Sequence, residues 1–175
     1  MIGWRVRVAA IGAACLMTVA CSSGATLVPA SAPPANPVDA AFAAKATAIC
    51  SATTKELNSH PNFPYPNFNA STGQPASLLP KVGAFFSQYT IPTEEASLTQ
   101  LRAIGEPARG QVAWDSFMSL WTAWVSNVQA QVKAAEASDT NGFVATVNWI
   151  TADRQQAIPD AAAAAGVPAC GPLDQ

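Results

Sequence analysis

The sequence predicts an all-α domain, a four-helix-type bundle with kinked helices, placed behind a removable leader and a proline- and alanine-rich tether. Two observations point to the bundle. From Val38 to Ala165 apolar residues recur at steps of three and four, the period of one face of an α-helix. No run in that stretch shows the strict alternation of a half-buried strand. A third observation separates the first 37 residues from the domain: an uncharged apolar run is followed by a stretch dense in proline.

The leader comes first. Arg5 and Arg7 make a short basic start, and Val8 to Ala20 is an apolar run of thirteen residues without a charge. That length fits the central region of a secretory signal peptide and falls short of the ~20 residues a membrane-spanning helix needs. The run ends Thr18-Val19-Ala20-Cys21, followed by Ser22-Ser23-Gly24. This ending resembles a bacterial lipoprotein signal, with Thr18 where that class usually has leucine. The resemblance implies cleavage before Cys21 and a thioether-linked diacylglycerol on its sulfur. Ordinary signal cleavage at the same bond is the alternative, since Thr18 and Ala20 also suit that enzyme. The expected organisation is a signal peptide over 1–20, a lipidated cysteine and disordered tether over 21–37, and a helical domain over 38–175.

Cysteine parity bears on the same point. Of four cysteines, Cys15 lies in the leader, so the mature chain keeps Cys21, Cys50 and Cys170. An exported protein seldom leaves an odd thiol, and acylating Cys21 leaves one even pair. Loss of Arg5 and Arg7 takes nine basic residues to seven against eleven acidic ones, or −4 for the mature chain. Such a balance does not draw a protein to anionic lipid. Membrane attachment therefore falls to the acyl chains, at ~0.8 kcal/mol per buried methylene.

The tether, Ser22 to Pro37, holds four prolines in sixteen residues and no charge. Extended polyproline-like chain at ~3.1 Å per residue would span about 50 Å. It reads as a spacer, or else as an unselected tail.

The first helical segment carries Phe42, Ala46, Ile49, Thr53 and Leu57 on one face, with Asp39 in its first turn complementing the helix dipole. It ends near Ser59, because His60-Pro61 disfavours helical backbone. Pro61 to Gln74 has three prolines and no helical period. It reads as an ordered crossing loop whose Phe63, Tyr65 and Phe68 share one surface. The second segment starts near Ser77 with Leu78, Leu79, Val82, Phe85, Phe86 and Tyr89, and Pro80 is tolerated in its first turn. Ile91-Pro92 breaks or kinks it. Thr93 then reads as a cap, with Glu94 and Glu95 as first-turn acids and Leu98, Leu101 and Ile104 as the continuing face.

Pro107 opens the longest helix, to about Ser138. Its stripe is Trp114, Phe117, Met118, Trp121, Trp124, Val125, Val128, Val132 and Ala135, and Asp115 is the only charge between Gly110 and Val132. Gln111, Ser116, Ser119, Asn127, Gln129 and Gln131 are too many polar groups for hydrocarbon, so this is a core helix and no membrane span. Asp139 caps a last helix to about Ala165, lined by Phe143, Val147, Ile150, Ala157, Ile158 and Ala161. Arg154 lies on that stripe and needs a partner or an exposed end. Pro159 kinks the helix, and Gly166 with Pro168 stops it.

Export makes a Cys50–Cys170 disulfide the expectation, enclosing nearly the whole domain, with ~4–5 kcal/mol of chain-entropy stabilisation. Two buried thiols are the alternative. The pairing requires Val167-Pro168-Ala169 to run back along the first helix, or that helix to start later.

The layout resembles the small cell-envelope lipoproteins of mycobacteria and related actinobacteria. The features that carry the likeness are the ending Ala20-Cys21-Ser22-Ser23-Gly24, the Ala/Pro tether, Ala48-Ile49-Cys50 in the first helix and Gly166-Val167-Pro168-Ala169-Cys170-Gly171 at the end. The likeness implies a lipid and an extracytoplasmic address and no reaction.

The search for chemistry returns little. His60 is the only histidine, which excludes a histidine-paired metal site. There is no Gly-x-Ser-x-Gly elbow, phosphate-binding glycine loop or Ser-x-x-Lys. The basic residues are scattered over a chain of net charge −2 and only 11 % charged residues, which argues against nucleic acid as partner. No metal and no cofactor are expected. The expectation is a non-enzymatic binding module, with Phe63, Tyr65, Phe68, Asp115, Trp121 and Trp124 as the candidate ligand or partner surface, against core packing for the tryptophans and an arginine-paired carboxylate for Asp115. The partner would be an envelope protein, or an apolar envelope ligand carried between helices. The remaining reading is an enzyme using Asp115 with Glu106 or Asp153.

Overall fold

The computed structural model describes residues 37–152 and 156–171. The leader, Cys21 and nearly all of the tether lie outside them, as do Asp153 and Arg154. Five helices pack together: α1 (Ala40–Ser59), α2 (Leu79–Ala103), α3 (Gln111–Glu136), α4 (Thr140–Ala152) and α5 (Ile158–Ala164), with single 3-10 turns at Ala76–Leu78 and Pro168–Cys170. The main interface is between α2 and α3. The described residues contain no strand beyond one isolated bridge between Asn69 and Gln74.

Of the α1 stripe the spacing predicts, Phe42, Ala46, Thr53 and Leu57 are buried, while Ile49 is only partly buried and Cys50 takes its place. Thr53 turns its hydroxyl back onto the Ile49 carbonyl at 3.0 Å, which satisfies the one buried hydroxyl of the stripe. Asp39 is the N-cap rather than a first-turn residue, its Oδ1 accepting from the Phe42 N–H at 2.9 Å. On α3, Trp114, Phe117, Trp121, Trp124, Val125, Val128, Val132 and Ala135 are all buried. Burying each large side chain is worth ~2–3 kcal/mol before entropy, so this helix organises the core.

Two expectations are corrected. The helix through Pro92 does not restart: α2 is continuous across it. Pro92 lies on the exposed side, so the Gln88 carbonyl that loses its N–H partner faces water, and the proline costs less there than in a packed interface. Thr93 is therefore no cap, and its hydroxyl donates to the Tyr89 carbonyl at 3.2 Å. Second, α3 starts at Gln111 and not at Pro107, because Gly110 stands in the left-handed region at φ 73° and ends the turn that carries Pro107, Ala108 and Arg109. The expected last helix is described as α4 and α5, residues 153–155 between them lying outside the described residues; Gln156 and Ala157 are π-helical just ahead of Pro159, a local departure from α-helix at the point where the sequence expects a kink. Asp139 caps α4 as the sequence indicates, accepting from the Gly142 N–H at 3.0 Å.

Close approach of α2 to α3 depends on Gly83. A Cβ there would lie 3.0–3.1 Å from Glu136 and Ala135 atoms, so α2 would have to move off its neighbour. The core has two clusters. One joins α1, α3, α5 and part of α2 around Phe117 and Trp121. The other joins Phe68, Leu79, Val82, Ala135 and Phe143.

The disulfide expectation holds: Cys50 and Cys170 are bonded, with Cα atoms 5.1 Å apart. The tail does run back along α1. Val38 N–H donates to the Ala165 carbonyl at 3.1 Å, and Cys170 Sγ reaches the Ala46 carbonyl at 3.7 Å. The chain thus enters the domain at a stitched point, where Asp39 also accepts from the Ala108 N–H at 3.3 Å.

The Phe42 N–H foremost, with the Ala108 and Asp39 N–H groups and the Arg109 charge, holds the Asp39 carboxyl below its ordinary 3.8 despite an opposing desolvation. A depressed carboxyl stabilises the fold above its unfolded pKa and loses that contribution as pH falls through the folded value. The midpoint of urea unfolding is expected to fall on acidification below about pH 4, and Asp39→Asn to show a shallower fall. Identical pH profiles for the two proteins would contradict the assignment.

Candidate functional site

Two places collect the residues the sequence singles out. The first is the end of the domain beyond α1. Phe63 sits at the centre of an aromatic group, with ring centroids 5.4 Å from Tyr65, 6.4 Å from Phe68, 5.4 Å from Phe85 and 5.9 Å from Phe86. The loop holds this shape through Asn69, whose N–H donates to the Gln74 carbonyl at 2.7 Å, and through Gly73 at φ 63°. Phe63 and Tyr65 are half-buried. Phe68 is buried against Phe143, 5.6 Å away, so it belongs to the core and not to a surface. His60 lies beside Tyr89 and 3.7 Å from Glu56, a loop residue next to a carboxylate of its own helix.

The second place is a shallow, open depression between α2 and the first half of α3. Arg102, Glu106, Trp114, Asp115, Met118 and Thr122 line it. Arg102 donates to the Thr122 hydroxyl at 3.2 Å, and Gln111 donates to Glu106 at 3.2 Å. Asp115 is exposed on the rim. Arg102 lines the same depression. Glu106 does too, which brings together two of the three carboxylates considered for catalysis.

Trp121 and Trp124 are not surface. They are 1 % and 4 % exposed and fill the core among α1, α2 and α3, because their i, i+3 spacing continues the stripe of Trp114 and Phe117. Among the described residues, no group of three His, Cys, Asp or Glu lies close enough to hold a metal ion.

Glu94 does not take the first-turn position expected of it. Glu94 is 1 % exposed on α2, beside Ser97 at 2 %. The signal was present in the spacing: Ile91, Glu94, Leu98 and Leu101 are steps of three and four, so an uninterrupted helix puts Glu94 on the apolar stripe. Only a break at Pro92 would take Glu94 off that face, and α2 has none. Ser97 Oγ and Trp121 Nε1 are buried without a hydrogen-bond partner among the described residues. Each such group costs about 1–3 kcal/mol of desolvation.

No family model matches this chain, and neither a curated protein nor a solved structure does.

Ser97→Ala removes a buried hydroxyl that has no partner and keeps the helix. Stability in urea is expected to stay level or rise by about 1 kcal/mol. A loss of similar size would show that the hydroxyl is satisfied.

Proposed function

We propose that the chain is an exported cell-envelope lipoprotein, cut ahead of Cys21 and acylated there, whose helical domain is a non-enzymatic binding module on the outer face of the cytoplasmic membrane. The observation that carries this reading is the Cys50–Cys170 bond. With Cys15 in the leader, that pairing leaves Cys21 as the odd cysteine at the predicted cleavage point, in the place where a lipid would use it. A disulfide closing most of a domain also belongs to oxidising compartments.

Two further facts agree. No helix among the described residues is long and apolar enough to cross a membrane, so a lipid would supply what a span does not. The likeness to mycobacterial-type envelope lipoproteins points to the same address. Binding rather than catalysis is favoured because Glu106 and Asp115, though they share a depression, both stand open to water on a shallow surface that would not exclude solvent from a reaction. The reading as a carrier of an apolar ligand between helices is disfavoured by the filling of that space with Phe117, Trp121 and Leu101, each 1 % exposed or less.

Intact-mass measurement of protein extracted from its own membrane tests the reading. The expected species begins at Cys21, carries acyl mass on that residue and has Cys50 joined to Cys170. A free Cys21 thiol without acyl mass, or a chain retaining residues 1–20, would overturn it.

A further inference from the structure

We propose that the depression between α2 and α3 docks the phosphate–ammonium headgroup of a zwitterionic phospholipid, so that this end of the domain lies against the membrane that anchors it. The inference rests on acylation of Cys21.

Position is the first argument. The chain enters the domain at Pro37, packed against Gly166 so closely that a Cβ on that glycine would meet the proline ring at 2.9 Å. Val38 is bonded to Ala165, and Asp39 to Ala108 in the turn that follows Gly105 and Glu106. The stitched entry and the depression therefore share one end of the domain. From there α1 runs about 30 Å to the aromatic loop at the opposite end. The point where the chain joins the domain and the depression are thus on one side of it, and the aromatic loop is on the other.

Charge is the second. One wall carries the Arg102 guanidinium, and the rim carries the Glu106 and Asp115 carboxylates. A guanidinium takes a phosphate through paired hydrogen bonds, and carboxylates take an ammonium. A headgroup with both signs finds both partners. A purely anionic headgroup meets two like charges, and the mature chain's negative balance adds no attraction for it.

Apolar exposure is the third. Val112 is 85 % exposed, the one large hydrophobic side chain so exposed among the described residues. It precedes Asp115 by three positions, which on a helix is the same face. A single exposed valine is ordinary on its own. Here it stands beside the charged rim, where a docked headgroup would bring it to the acyl boundary. A soluble zwitterion would satisfy the charges without using Val112, which separates the two sources of the same chemistry.

The test uses acylated mature protein in vesicles of phosphatidylethanolamine with phosphatidylcholine, and in vesicles of phosphatidylglycerol. An environment-sensitive fluorophore is placed through Ser116→Cys beside the depression, and through Ser71→Cys on the aromatic loop as control. Spin-labelled lipid is expected to quench the first label and not the second, more strongly in the zwitterionic vesicles. Val112→Ser and Arg102→Gln are each expected to weaken that quenching about fivefold. Equal quenching at both positions would overturn the inference. So would an unquenched label at 116 in protein whose Cys21 is shown by mass to be acylated. Quenching relieved by soluble phosphoethanolamine but indifferent to Val112→Ser would assign the site to a soluble ligand. Absence of acyl mass would instead remove the reading beneath it.

Discussion

The aromatic stripe of α3 is the constraint on which the rest of the domain depends. Trp114, Phe117, Trp121 and Trp124 recur at three and four, and each is buried. α2 packs along one side of this helix, α4 and α5 along others, and α1 meets it through Phe42, whose ring lies 4.8 Å from Trp114 edge-on. With so few charges in the chain, specificity of packing comes from shape. Glycine at 83 lets α2 approach, and the small residues Ala46, Ala135, Ala162 and Ala165 leave room for the large rings.

A second constraint acts on the ends. The disulfide joins the first helix to the tail, and the Val38–Ala165 and Asp39–Ala108 bonds bring the entry point, the α2–α3 turn and the end of α5 into one cluster. Loop-closure entropy explains the value of the long cross-link, since the denatured chain loses more freedom the farther apart its linked residues are. The arrangement also separates the two ends of the domain. One receives the chain and carries mixed charge beside an exposed valine; the other is aromatic, and its loop from 61 to 75 has no Asp, Glu, Lys or Arg.

Much of this was legible in the amino-acid order, and the failures have physical causes. The stripes of α1 and α3 were readable because strong periodicity with large side chains leaves one face to bury. The disulfide was readable from parity, and the Asp139 cap from a lone acid before an apolar run. The Pro92 boundary was not, because a proline's cost depends on which side of the helix it falls, and that is set by packing. The misplacement of Glu94 follows from it. The start of α3 was lost to Pro107, a favourable first-turn residue, while Gly110 held the left-handed backbone that sets the boundary. Of the candidate surface, Phe63, Tyr65 and Asp115 remain accessible, while Phe68, Trp121 and Trp124 belong to the core. Distinguishing those groups needed the depth of each helix, which periodicity does not carry. The depression itself joins residues of two helices, and only the register of α2 against α3 reveals it.

The central claim is that burial of the α3 rings specifies the domain, and Trp121→Ala tests it most directly. Urea unfolding with the disulfide intact is expected to show a loss of about 3–5 kcal/mol, from lost transfer energy and the cavity left behind. The near-UV circular dichroism of the remaining tryptophans should weaken with it. A loss below about 1 kcal/mol, the range of a surface substitution, with an unchanged aromatic signal would contradict the account.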